Sequence, residues 1–189
     1  MLLDKKSGEI LLKVARDAID ARLSKKPLPS VNLTGELLNQ AVGCFVTITI
    51  NDCLRGCIGH FVSEKPIYIE VAEMAVAAAT ADPRFHPMGA ADIAHYKLEI
   101  SILSPLEKIA DTTLINVGTH GIYLTNGYSR GVLLPQVALE HKWDRLTFLK
   151  QTCIKAGLPQ NAWQSPQTEI YIFSAQIISE NDNQESRHD

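Results

Sequence analysis

The chain has 189 residues, of which 46% are hydrophobic and 21% charged, with a net charge of −3 at pH 7. This length supports one domain with a real core, and the slight acidic balance argues against a protein that coats nucleic acid through a basic excess. No run approaches the roughly 18 apolar residues of a membrane span, and "MLLDKKSGEI" lacks the apolar segment and cleavage site of a secretory signal.

In chain order, "SGEILLKVARDAIDARLSKK" places Ile10, Leu11, Val14, Ala18 and Ile19 on one helical face, with Ser7 as the expected N-cap. Pro27 and Pro29 stop that helix, and "TGELLNQ" is expected to add a turn. "CFVTITI" and "CLRGCIGHF" are β-rich runs joined through Asn51-Asp52, a two-residue turn. The segment from Ser63 to Asp82 reads as a helix, with Ser63 as N-cap and Pro66 in its first turn. Ala75, Ala77, Ala78 and Ala79 would let another element pack close. "DPRFHP" ends it, and "GAADIAHY" suggests a short helix.

"KLEISILSP" alternates Leu98, Ile100 and Ile102 against Glu99, Ser101 and Leu103, as a half-buried strand does. Asn126-Gly127 marks a hairpin. A helix is expected from Pro135 to Gly157, with Pro159 beyond it, and Trp143, Phe148, Leu149 and Trp163 are expected core residues. "TEIYIFSAQIIS" reads as one final strand. Residues 180–189 read as a disordered polar tail, which leaves a domain over 1–179. The mixed order and the hairpins predict an α+β fold with a mainly antiparallel sheet flanked by helices.

The stretch "CLRGCIGH" poses the main chemical question. A cluster-binding C-x3-C-x2-C motif would need a third cysteine where His60 stands. A zinc site from Cys53, Cys57 and His60 would need a fourth ligand, with Cys44 and His86 as the candidates. On a straight strand Cys53 and Cys57 share a face about 13 Å apart and His60 takes the other, so no metal is expected. Four cysteines are too few for a disulfide scaffold, and free thiols fit a reducing, cytoplasmic setting. The same parity sets Arg55 beside Cys57, and a cation near a thiol favours the thiolate. Gly56 and Gly59 leave room for a ligand or another backbone. The alternative is a small buried cysteine beside a bulge, with Arg55 in a structural ion pair. No dinucleotide fingerprint or P-loop is present, and no cofactor is expected.

"LRGCIG", "DPRF", "LEISILSP", "HGI", "GVLLPQVA" and "KAGL" occur in the order found in the AMMECR domain family, and the chain resembles that family from about residue 8 to 178. The resemblance is nearest to the standalone microbial members, the AmmeMemoRadiSam system protein A group. It implies a two-lobed α+β fold with a cleft beside the LRGCIG strand. It also implies association with a Memo-like protein and a radical-SAM protein, which would put iron–sulfur chemistry on a partner. The hallmark carries threonine or a similar residue where this chain has His60, and it excludes Cys53.

The matched blocks nominate Cys57 as nucleophile, His120 as general acid or base, and Glu99 as its orienting partner or a substrate ligand. Arg55, Gly56, Gly59, Arg84 and Gln136 are nominated for substrate binding, the arginines because a guanidinium forks a carboxylate or phosphate. Arg84 would equally pin its loop to a helix end, and Glu99 would equally be an ordinary solvent-facing strand residue. Cys153 is expected to be inert. Two functions follow: an enzyme or enzyme subunit using the Cys57 thiol on a small molecule or modified protein, or a non-catalytic module recognising a partner protein or RNA. The acidic balance makes nucleic acid the less expected partner, and no membrane association is expected.

Overall fold

The computed structural model describes residues 3–28, 33, 35–36 and 38–180. The elements run α1 (Lys5–Leu23), β1 (Cys44–Ile50), β2 (Cys53–His60), α2 (Ile67–Thr80), β3 (Tyr96–Leu103), β4 (Glu107–Ile109), β5 (Gly121–Asn126), β6 (Ser129–Leu133), α3 (Pro135–Glu140), α4 (Arg145–Lys155), β7 (Glu169–Phe173) and β8 (Ala175–Ser179). Short 3-10 turns lie at Ala90–Asp92, Thr112–Leu114 and Ala162–Gln164. The expected α+β class holds, and the β1–β2, β1–β3, β4–β7, β5–β6 and β5–β7 pairings are antiparallel. No helix among the described residues is long and apolar enough to cross a membrane.

The chain divides into two compact units, residues 1–103 with 176–189, and residues 104–175. The first holds the sheet β2-β1-β3-β8, and the buried faces of α1 and α2 share its core. Cys44, Val46 and Ile48 of β1 are fully buried in that core. The intervening Phe45, Thr47 and Thr49 therefore point to the opposite face of the sheet. The second unit holds the sheet β4-β7-β5-β6. Phe148, Leu149 and Cys153 of α4 fill its core with Ile122 and Leu124 of β5, and Trp143 and Trp163 pack partly buried against it.

Several local expectations change. Asp4, not Ser7, caps α1, because its carboxylate reaches back to the Ser7 N–H at 2.7 Å. Ser63 does not cap α2; the cap position is Pro66, and the Ser63 hydroxyl donates to Glu70 instead. The helix expected from 135 to 157 breaks at Lys142, whose φ is +53°, and Asp144 caps a new helix through the Thr147 N–H. Gly157 does close α4: at φ +73° its N–H donates to Ile154 O, and the Leu158 N–H donates to Cys153 O, the αL ending glycine favours. The hairpin is centred one residue later than Asn126-Gly127, since Asn126 pairs with Ser129.

The single final strand is two, split at Ser174, with β7 in one sheet and β8 in the other. Glu180, read as the start of the tail, is engaged: it accepts from Arg16 Nε at 2.8 Å, Arg16 Nη2 at 2.7 Å and the Leu98 N–H at 2.9 Å. Residues 181–189 lie outside the described residues, as do Thr34 and Leu37 of the turn expected over 34–40.

Candidate functional site

The β1–β2 hairpin turns on Asn51 and Asp52, both at positive φ (+51° and +59°), as a tight two-residue hairpin requires. Its ladder then slips. Thr49 pairs with Leu54 and Ile48 with Gly56, so Arg55 has no partner across the strand. This is a β-bulge, and one extra residue reverses the parity of everything beyond it. Cys53 falls in the row of Ile50, whereas Cys57 falls in the row of Thr47. The straight-strand expectation that the two cysteines share a face is corrected: they lie on opposite faces. The alternation that would set Arg55 beside Cys57 is interrupted at Arg55 itself.

Beyond the bulge the strand is regular. Gly56 lies in the buried Ile48 row, where a Cβ would stand 2.1 Å from the Ala78 carbonyl oxygen of α2. The close approach foreseen for the alanine run and for Gly56 is thus one backbone against another. Gly59 serves the same end, since a Cβ there would meet Cys44 O at 2.2 Å. Neither glycine is free to serve a ligand at its Cα.

Cys57 itself sits on the face away from the helices, half-buried. Thr47 pairs with Cys57 on one side and with Glu99 of β3 on the other, so Cys57, Thr47 and Glu99 form one row across three strands. The Thr47 hydroxyl donates to the Cys57 Sγ at 3.3 Å.

The backbone of Cys57 is held by the aspartate of "DPRF", which is not among the residues nominated from the sequence. Asp82, 4% exposed just beyond α2, accepts the Cys57 N–H at 2.9 Å. Its carboxylate also takes the Arg84 N–H at 3.1 Å, Arg84 Nε at 3.0 Å and Arg84 Nη2 at 2.7 Å. The forked hydrogen bonds from Arg84, followed by those from the Cys57 and Arg84 N–H groups, hold the Asp82 carboxyl well below the ordinary carboxylate range against the opposing effect of burial. Arg84 Nη2 also reaches Cys57 O at 3.4 Å. Arg84 therefore pins its loop to the end of α2 and to β2, and the fork expected to hold a substrate anion is spent on Asp82. Arg55 stays half-buried with no ion pair among the described residues.

At the far end of β2, His60 Nδ1 lies 2.7 Å from Glu70 Oε1, and Ser63 Oγ donates to Glu70 Oε2 at 2.6 Å. A carboxylate only accepts, so Nδ1 carries the proton. Glu70 is 2% exposed and His60 60%. This explains the histidine of "CLRGCIGH" as the partner of a buried acid. His60→Ala is expected to destabilise the protein by about 2 kcal/mol, because it strips a buried charge of a donor, and Glu70→Gln by about 1 kcal/mol, because a neutral amide remains. Urea unfolding of the two variants tests that order.

His120 and Gln136 belong to the second unit. The His120 Nδ1 accepts the Asn116 N–H at 3.2 Å, and its own N–H donates to Asn116 O. The ring proton is therefore on Nε2. Gln136 sits in the first turn of α3, and its Oε1 is buried without a hydrogen-bond partner among the described residues. Cys44 and Cys153 are fully buried, and burial raises both thiols above their ordinary range.

Comparison with known proteins covers nearly the whole chain. A model of the AMMECR1 family matches residues 12–178. A protein of Methanothermobacter thermautotrophicus is 40% identical over 185 residues, which is 94% of this chain and 96% of that one. Protein MK0488 of Methanopyrus kandleri is 40% identical over 182 residues, 92% of this chain and 88% of that one. The crystal structure of an uncharacterised protein, PH0010, from Pyrococcus horikoshii is similar with a TM-score of 0.84 and 35% identity, covering 93% of this chain and 92% of that one. The chain belongs to the AMMECR1 family.

Proposed function

We propose that this chain is an enzyme or enzyme subunit that uses the Cys57 thiol on a small molecule or a modified protein side chain. It would work in the cytoplasm as a component of the AmmeMemoRadiSam system, beside a Memo-like protein and a radical-SAM protein that supplies the iron–sulfur chemistry. One observation carries the reading. Cys57 is the half-buried thiol of the hallmark strand, and its backbone is bracketed by a buried carboxylate that an arginine holds ionised. A thiol that only filled space would need no such bracket. Thr47 and Glu99 are its polar neighbours in the same row, and His120 and Gln136 are separate nominations from the second unit.

The test is Cys57→Ala in a genetic or coupled assay with the partner proteins. Loss of activity with an unchanged melting temperature is expected, and full activity would refute the reading. Thr47→Val, which removes only the hydroxyl at the thiol, is expected to lower activity several-fold.

A second reading, recognition of a partner protein or RNA without chemistry, is favoured by Arg55, a half-buried guanidinium with no ion pair among the described residues. There Arg55→Ala would weaken binding while Cys57→Ser would be silent. A steep salt dependence would mark the partner as RNA.

A further inference from the structure

We propose that the outward face of α2 and the adjoining face of α1 form a binding groove for a single-chain amphiphile with one anionic end. The inference is independent of Cys57 and shares no residue with that site. It starts from the sequence of α2, "IYIEVAEMAVAAAT", which is apolar on nearly every side. A helix of that kind is covered all round. Its inner face, with Val71, Ala75 and Ala78, is buried in the core. Among the described residues, its outer face is not closed in the same way. Tyr68, Ala72, Val76 and Ala77 line an apolar groove of about 470 Å³, with Val14 and Ala18 of α1 forming the opposite wall. Leu28 stands at its rim, 58% exposed. The one acid on the wall, Glu73, is already held by Lys65 at 2.6 and 2.8 Å.

The groove has a charged end. Thr80 and Ala81 also line a second cavity of about 910 Å³, around which stand Arg22, Lys25 and Lys26. None of these three cations makes an ion pair among the described residues. Nor are they needed to close α1. The Lys25 N–H donates to Arg22 O and the Lys26 N–H to Ala21 O, so backbone groups alone finish the helix. Lys25 moreover holds φ +56°, a place that glycine fills at less strain. An apolar groove that shares Thr80 and Ala81 with a cavity lined by three cations, none of them in an ion pair among the described residues, matches an apolar chain bearing a carboxylate at one end. Its volume lies in the lower half of the roughly 300–1,000 Å³ of small-ligand sites.

The test is calorimetric titration of the whole protein at low salt with dodecanoate, kept below its micellar concentration. Dodecyltrimethylammonium, with the same chain and the opposite charge, is the control. Saturable one-to-one binding of dodecanoate, at least tenfold tighter than that of the cation, is expected. Lys25→Ala with Lys26→Ala is expected to weaken dodecanoate at least tenfold, and Ala77→Trp, which fills the groove, to abolish binding with the circular dichroism spectrum retained. Lys25→Gly is the sharpest variant: it should raise the melting temperature and still weaken dodecanoate, which a purely structural lysine would not do. Equal affinity for the two amphiphiles, or no saturable binding to folded protein, would overturn the proposal. So would binding confined to anionic vesicles, or a dimer in sedimentation that dodecanoate does not dissociate.

Discussion

Asp82→Ala is expected to cost about 2–4 kcal/mol of stability and to disorder the strand that carries Cys57. The carboxylate accepts four hydrogen bonds, from the Cys57 N–H, the Arg84 N–H and two nitrogens of the Arg84 guanidinium. Truncation leaves the Cys57 N–H without its acceptor and Arg84 without its counter-charge. Arg84 is 55% exposed and recovers part of its solvation, which keeps the cost below that of a fully buried pair. The pH dependence has a definite sign. The folded Asp82 carboxyl lies below the unfolded value, chiefly through the Arg84 fork. Its contribution is therefore present above the unfolded pKa of about 3.9, and it fades as pH falls from about 4 toward the lower folded value. Acid unfolding of the wild type should show this loss, and Asp82→Asn should flatten that part of the curve. An Asp82→Asn curve parallel to wild type would mean that the bracket contributes no linkage.

Gly56→Ala is expected to be strongly destabilising. The added Cβ would lie 2.1 Å from Ala78 O and 3.0 Å from Ala78 C. Both are backbone atoms of α2, so no side chain can swing aside. Strand and helix must separate, at the upper end of the roughly 1–3 kcal/mol of ordinary overpacking or beyond it. Ala78→Gly should not rescue the variant, because the collision is with a carbonyl and not with the alanine methyl. Thermal unfolding of the single and double variants tests this, and a Gly56→Ala protein as stable as wild type would contradict the packing of β2 on α2.

Much of the fold was legible in the sequence because its signals are local. The 3.6-residue period of α1 and the β-branched run of β1 each report their own burial, whereas the alternation read for β3 ends at Ile100, because Ser101 and Leu103 are buried as well. What was missed depends on partners distant in sequence. The bulge at Arg55 is a mismatch between two strands that neither strand announces. Its consequence was to reverse the face of Cys53 relative to Cys57. Asp82 stood in a quoted block, but its role is defined by the Cys57 N–H 25 residues away. Lys142 breaks a long helix at a positive φ that composition does not signal, although Asp144 with Thr147 is a readable cap. The split at Ser174 was hidden because an unbroken β-like run serves two sheets in succession. Glu70 drew no expectation from the sequence, and only the structure shows His60 and Ser63 converging on it.

On the proposed function, the Asp82–Arg84 bracket presents Cys57 as a reactive thiol. The direct measurement is the rate at which iodoacetamide alkylates each of the four cysteines of the native protein across a range of pH, resolved by peptide mass spectrometry. Cys53 is exposed, Cys57 half-buried, and Cys44 and Cys153 buried, so the chain carries its own standards. Cys57 is expected to react faster at neutral pH than the more exposed Cys53, and Asp82→Asn to remove the advantage. A Cys57 slower than Cys53 at every pH, and unaffected by Asp82→Asn, would contradict the proposed function.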